Sequence, residues 1–139
     1  MKKMNNKGFS LVELIIVIAI MAVLMGVLAP QLLKYVEDSR VQTDLSAMAE
    51  VENATKIALS VEEIYNAAGD TVTVDITNGS QPSSSLDVLT EELAKTFPEP
   101  IELTSKTLKD ATGTVTCTFD ATAGTFTITN NFDELVGED

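Results

Sequence analysis

The sequence predicts an α+β protein in which a long N-terminal helix, its first half membrane-spanning and its second half amphipathic, packs against a small antiparallel sheet of three to four strands. Three observations carry this. An unbroken apolar run extends from Leu14 to Ala29, and from Phe9 onward only Ser10 and Glu13 interrupt it. Further on, Ala47, Val51, Ala54, Ala58, Val61, Tyr65 and Ala68 recur at alternating steps of four and three, the period of one helix face. Finally, residues 71–77, 113–120 and 124–130 alternate threonine with apolar side chains, the period of half-buried strands.

Residues 1–8, with Lys2, Lys3 and Lys7, read as a polar leader too short for structure of its own. Phe9 to Ala29 is 21 residues, about 31 Å as a helix, against a bilayer hydrocarbon core of ~30 Å. Glu13 stands out. A carboxylate at the centre of a membrane helix costs about 2.5–3.5 kcal/mol, less near the interface, and the apolar segment has no Lys, Arg or His to pair with it. A cut between Gly8 and Phe9 would create an α-amine at that depth. Helical geometry places a chain's own amine poorly for Glu13, whereas the amine of a neighbouring copy can reach it. A secretory signal peptide also joins basic and apolar regions, and Val27-Leu28-Ala29 imitates its cleavage site. Its apolar region is shorter, however, and here Pro30 follows the site and Glu13 lies inside the run.

Pro30 lacks a backbone donor and its ring crowds the carbonyl of Gly26, so a kink or local melt is expected over Gly26 to Pro30. The amphipathic helix of 31–68 should end near Gly69. Strand 71–77 puts Val72, Val74 and Ile76 on one face. Asn78 to Ser85 is loop by composition and holds an Asn78-Gly79-Ser80 glycosylation triplet. Leu86, Leu89, Leu93 and Phe97 mark a short helix capped by Ser84 or Ser85 and stopped by Pro98 and Pro100. Ile101 to Leu103 is a brief edge strand, and 113–120 and 124–130 form a hairpin. The apolar sheet face should lie on the helix seam, with the threonines facing water and Cys117 in the core.

Formal charge is −12. With the three leader lysines removed, 6 basic side chains face 21 acidic ones, or −15. Such a surface repels nucleic acid phosphate, so no direct nucleic acid binding is expected. The leader lysines predict the N-terminus inside and the head, 31–139, outside the membrane. A lone Cys117 allows no intrachain disulfide. The chain has no His and no Trp, which removes the usual general base and most transition-metal arrangements. No enzyme activity, catalytic residue, cofactor or metal site is expected. The acidic tail, Asp133-Glu134 and Glu138-Asp139, offers oxygen ligands for calcium, without the spacing of an EF-hand loop.

The run Gly8-Phe9-Ser10-Leu11-Val12-Glu13-Leu14-Ile15, after a basic leader and before a single apolar helix, resembles the processing signature of type IV pilins and type II secretion pseudopilins. The resemblance implies a pilin-like fold and residues 1–8 as a prepilin leader. It implies cutting between Gly8 and Phe9 by a prepilin peptidase, and N-methylation of the Phe9 amine. It further implies residues 9–30 as transmembrane and filament-core helix, Phe9 and Glu13 as the assembly pair, and loss of helicity around Gly26 and Pro30 in a filament. The implied partners are further copies in a helical filament, the peptidase, the assembly machinery and the membrane. The implied location is the cytoplasmic membrane as a single-pass precursor, then an extracytoplasmic filament. The chain departs from relatives with a second glycine nearer the acid, where it has Ala22, with a C-terminal cystine, or with a Trp-containing calcium loop. A pilus subunit is thus one reading. A pseudopilin or minor pilin of a secretion or DNA-uptake machine is a second, and a monomeric membrane-tethered binding module a third.

Overall fold

The computed structural model describes residues 8–120 and 122–137. The chain forms two compact units, Met1–Val36 and Glu37–Asp139. Helix α1, Leu11–Ala58, contributes to both. In the first unit every described residue is exposed, Phe9 at 93%. The α1 residues of this unit include the one window among the described residues apolar and long enough to cross a membrane. Helical assignment continues through Gly26 and Pro30, so the melt expected there is absent from the isolated chain.

In the second unit α1 buries Val41, Asp44, Met48, Val51, Thr55 and Ala58, again at alternating steps of three and four. This face is rotated from the predicted seam: Val51 and Ala58 are buried, but Ala47 and Ala54 only flank it. The correction has a physical cause. The true face accepts two polar residues because each is satisfied internally, Asp44 by a loop described below and Thr55 by donating its hydroxyl to the Val51 carbonyl at 2.8 Å.

The helix also stops earlier than the predicted Gly69. At Ala58 the last turn tightens: Ser60 N–H donates to the Ile57 carbonyl and Val61 N–H to the Ala58 carbonyl, both at 3.0 Å. Val61 is extended at φ −77°, ψ 125°, and a separate α2, Glu62–Ala67, follows with Ile64 buried. Val61, predicted as seam, is exposed, and Tyr65 is half-buried.

The sheet is antiparallel in the order β2-β1-β3-β4, with β1 Thr71–Thr77, β2 Ser83–Ser84, β3 Thr112–Asp120 and β4 Thr125–Asn130. β1, β3 and β4 follow the threonine alternation, and Val74 stands opposite Val115. Cys117 stands opposite both Val72 and Ile128. Val72, Val74, Ile76, Val115 and Cys117 join Met48 and Val51 of α1 in one core, sheet on helix. Two expectations change at the β2 side. The loop of 78–85 contains the edge strand β2, paired with Val74 and Asp75. The strand expected at Ile101 to Leu103 is a single bridge from Ile101 to Ser80.

Helix α3, Asp87–Thr96, buries Leu89 and Leu93. Its N-cap position is Leu86, without a side-chain cap, so neither Ser84 nor Ser85 plays that part. Ser84 Oγ instead accepts from Leu86 N–H at 3.1 Å, and Ser84 N–H donates to Thr90 Oγ1 at 2.9 Å. A short α4, Phe132–Val136, was not foreseen. It buries Phe132 and carries Asp133 and Glu134 exposed, while Glu138 and Asp139 lie outside the described residues.

Candidate assembly site at the start of the long helix

The sequence Ser10-Leu11-Val12-Glu13 has the S-x-x-E spacing of a capping box, and the structure forms one. Ser10 N–H donates to Glu13 Oε2 at 2.8 Å, and Glu13 N–H donates back to Ser10 Oγ at 3.3 Å. The two bonds satisfy reciprocal backbone and side-chain groups where a helix begins, and α1 accordingly starts at Leu11. Sequence reasoning that sought only a cation for Glu13 passed over Ser10, although its spacing from Glu13 was the signal.

The box gives the carboxylate a hydrogen-bond partner within its own chain. One oxygen, Oε2, is held by the chain's own amide. Among the described residues no Lys or Arg pairs with Glu13; the ion pairs are Arg40–Glu37, Lys56–Glu52 and Lys95–Glu92. The carboxylate therefore keeps Oε1 and its charge on an exposed surface that from Leu14 to Ala29 is apolar. Both partners of the box lie after Phe9, so a cut between Gly8 and Phe9 leaves the box intact.

Gly8 and Phe9 precede the helix, and both are exposed. A Cβ on Gly8 would meet no atom of the described residues within 4 Å, so none of them demands glycine at this position. The same is true of Gly26 inside α1. The leader residues 1–7 lie outside the described residues.

In the head, the ionisable groups serve the fold. Asp44, 2% exposed, loses hydration by burial, yet hydrogen bonds from Thr104 and Ser105 outweigh this and hold its carboxyl below the usual range. Its oxygens accept from Thr104 N–H at 2.9 and 3.0 Å, from Ser105 N–H at 2.8 Å and from Thr104 Oγ1 at 3.2 Å. Seven residues earlier on α1, Glu37 accepts from Lys106 N–H. Glu52 is held low by the Lys56 ammonium, 2.5 Å away, against partial burial and with help from Asn130. Burial pushes the Cys117 thiol up to about 11, with the Glu52 charge adding to it; such a thiol is a small core hydrophobe rather than a nucleophile. Asn78 of the glycosylation triplet accepts Leu103 N–H on its Oδ1 at 2.8 Å, which ties the Ile101 loop to the end of β1. No group of three His, Cys, Asp or Glu that could hold a metal occurs among the described residues.

The geometry thus separates a folded head from an exposed apolar helix whose one acid is oriented at its start. No curated protein and no solved structure matches the chain. A family described as the prokaryotic N-terminal methylation motif matches residues 3–29, the stretch that holds Gly8, Phe9, the capping box and the apolar run. With that segment leading into a helix and a four-stranded antiparallel sheet, the chain carries the signature of type IV pilins and pseudopilins on a pilin-like α+β layout.

Proposed function

We propose that the chain is a structural subunit of a type IV pilus or pilus-like filament. It inserts as a single-pass precursor with residues 1–8 inside and the head outside. Prepilin peptidase cuts between Gly8 and Phe9, and the Phe9 amine is methylated. Assembly machinery then moves subunits from the membrane into a helical filament whose core is the segment 9–30.

The observation that carries this reading is the state of Glu13. Its Oε2 is fixed by Ser10 and its charge has no cation among the described residues, so the carboxylate is pre-oriented with Oε1 available to the Phe9 amine of an adjacent copy. Removing one partner of a desolvated ion pair costs about 3–5 kcal/mol. Gly26 and Pro30, a weak helix former and a residue without a backbone donor, are the point at which α1 loosens when subunits pack.

Glu13→Ala tests the reading. The variant should insert and be cut normally, with a mature N-terminus at methylated Phe9 by mass spectrometry, and yield few filaments by electron microscopy. Normal filament yield, or a mature chain starting elsewhere than Phe9, defeats it. Filament length in the unaltered strain distinguishes a surface pilus from the short fibre of a secretion or uptake machine.

A further inference from the structure

The first unit ends at Val36, seven residues beyond the apolar run that stops at Ala29. Four of the six side chains from Gln31 to Val36 are apolar. The chain covers none of them: exposure runs from 38% at Val36 through 62% at Leu32 to 72% at Leu33 and Tyr35. The first side chain of α1 that is buried is Val41, in the second unit. An apolar stretch is therefore left open in sequence between the span and the folded head.

Helix α1 is unbroken here, so these residues follow the helical period of the span. At ~100° per residue, Leu32, Leu33, Tyr35 and Val36 fall on one side, within roughly 160°, and Gln31 and Lys34 on the other. Lys34 is the only charge between Glu13 and Glu37. It pairs with no carboxylate among the described residues. Charge then sets in at Glu37, Asp38 and Arg40.

Length fixes where this stretch lies once the span is in a bilayer. Phe9 to Val36 is 28 residues, about 42 Å of helix, against ~30 Å of hydrocarbon and ~40–45 Å for the bilayer with its headgroup layers. With Phe9 at the inner hydrocarbon boundary and the usual tilt of about 20°, Leu33 and Tyr35 stand roughly 4–7 Å past the outer boundary. That is inside the headgroup layer and short of bulk water.

We infer that residues 31–36 form an interfacial step of the membrane helix, whose partner is the phospholipid headgroup layer of the outer leaflet. Leu32, Leu33 and Val36 rest on the acyl boundary, Tyr35 keeps its ring there with its hydroxyl among the headgroups, and Lys34 extends its ammonium to lipid phosphate. Continuity selects lipid as the occupant. The face is the outward end of the same unbroken helix, and an aromatic and a basic side chain stand at the depth where an interface favours both. The inference rests on the head-outside insertion proposed above and is independent of filament assembly.

The chain has no Trp, so one introduced Trp reports alone. Full-length precursor is reconstituted in vesicles of phosphatidylcholine and phosphatidylglycerol, with bromine either near the glycerol end or near the methyl end of the acyl chains. Leu33→Trp should be quenched at least twofold more by bromine at the glycerol end, and Val23→Trp by bromine at the methyl end. In the Leu33→Trp background, Tyr35→Ser and Lys34→Glu should each raise quenching by aqueous acrylamide at least twofold. Ile57→Ser, at an exposed apolar position of the second unit, should not. Leu33→Trp open to acrylamide and untouched by either bromine, with Val23→Trp quenched, overturns the inference and leaves the span reading standing. An unquenched Val23→Trp removes both. Leu33→Trp shielded from bromine and acrylamide alike means that a second copy covers the face, and overturns the inference too. So does an unchanged acrylamide response in the Tyr35 and Lys34 variants.

Discussion

Ser10 and Glu13 hold each other across the first turn of the long helix, amide to carboxylate at 2.8 Å and amide to hydroxyl at 3.3 Å. The pair does two things at once. It starts the helix at Leu11, just past Phe9 and Ser10, and it aims the one acid of the apolar segment. Replacing Ser10 by Ala removes the hydroxyl acceptor but keeps the Ser10 amide, a loss typical of a cap, about 1 kcal/mol. In micelles, Ser10→Ala should speed amide exchange at Glu13 and its immediate neighbours and leave the head amides untouched, with Ser10→Thr restoring protection. Unchanged exchange at Glu13 in the alanine variant would show that the box does not form in solution.

Asp44 pins the 104–106 loop to the helix from a buried position. Asp44→Ala leaves the Thr104 and Ser105 amides without their acceptor, and each unsatisfied buried group costs about 1–3 kcal/mol. The head should lose roughly that amount or more in urea unfolding, and Asp44→Asn, which keeps one acceptor oxygen, should lose less.

The same carboxylate, with Glu52, sets the acid limit of the fold. Both have folded-state values below their ordinary ones of 3.8 and 4.5. The unfolded chain therefore binds protons first as pH falls. Their contribution is fully present above the ordinary carboxylate range and is lost as pH drops through the lower folded values. Urea midpoints should be flat from pH 7 to about 5 and fall steeply below 4, and the fall should be shallower in Asp44→Asn. An identical acid slope in the variant would assign the effect to other groups.

Much of this architecture was legible. The β1, β3 and β4 alternation required only period-two counting, and the span required only length and apolarity. What was not legible depended on contacts distant in sequence. Asp44 could be placed on the buried face only with knowledge of Thr104 and Ser105, some 60 residues away, so a seam read from apolar spacing alone ran through the alanines beside it. The break after Ala58 depends on Ser60 folding back on the Ile57 carbonyl, at N–H and at hydroxyl, against a heptad pattern that ran straight on. At the N-terminus the opposite happened: Ser10 was in plain view, and attention to charge alone hid its hydrogen bond.

Cys117 makes the alkaline counterpart of the Asp44 prediction. Its thiol is pushed from 9.0 up to about 11, so the unfolded chain gives up the proton first as pH rises. The stability it contributes is complete below pH 9 and declines between 9 and about 11. Native protein should resist a thiol reagent at pH 8 and react stoichiometrically in urea, and Cys117→Ala should flatten the alkaline decline. Fast labelling of the folded chain would place the thiol at the surface.

At Gly113 the sheet lies close against the side chains of Met48 from α1 and Phe132 from α4. A Cβ there would sit 3.1 Å from Met48 Sδ and 3.3 Å from both Met48 Cε and Phe132 Cε1. Met48 is fully buried, but its thioether is the flexible end of an unbranched chain. Gly113→Ala should therefore cost only about 1 kcal/mol as Met48 shifts, and Gly113→Val about 3, the upper part of the usual overpacking range. Met48→Ala alone empties part of the core and should cost about 2–5 kcal/mol. If the clash is with Met48, the cost of Gly113→Ala vanishes or changes sign in the Met48→Ala background, a coupling measurable by urea unfolding of the four proteins. Strict additivity would mean that Phe132, rather than Met48, bars a side chain at this position.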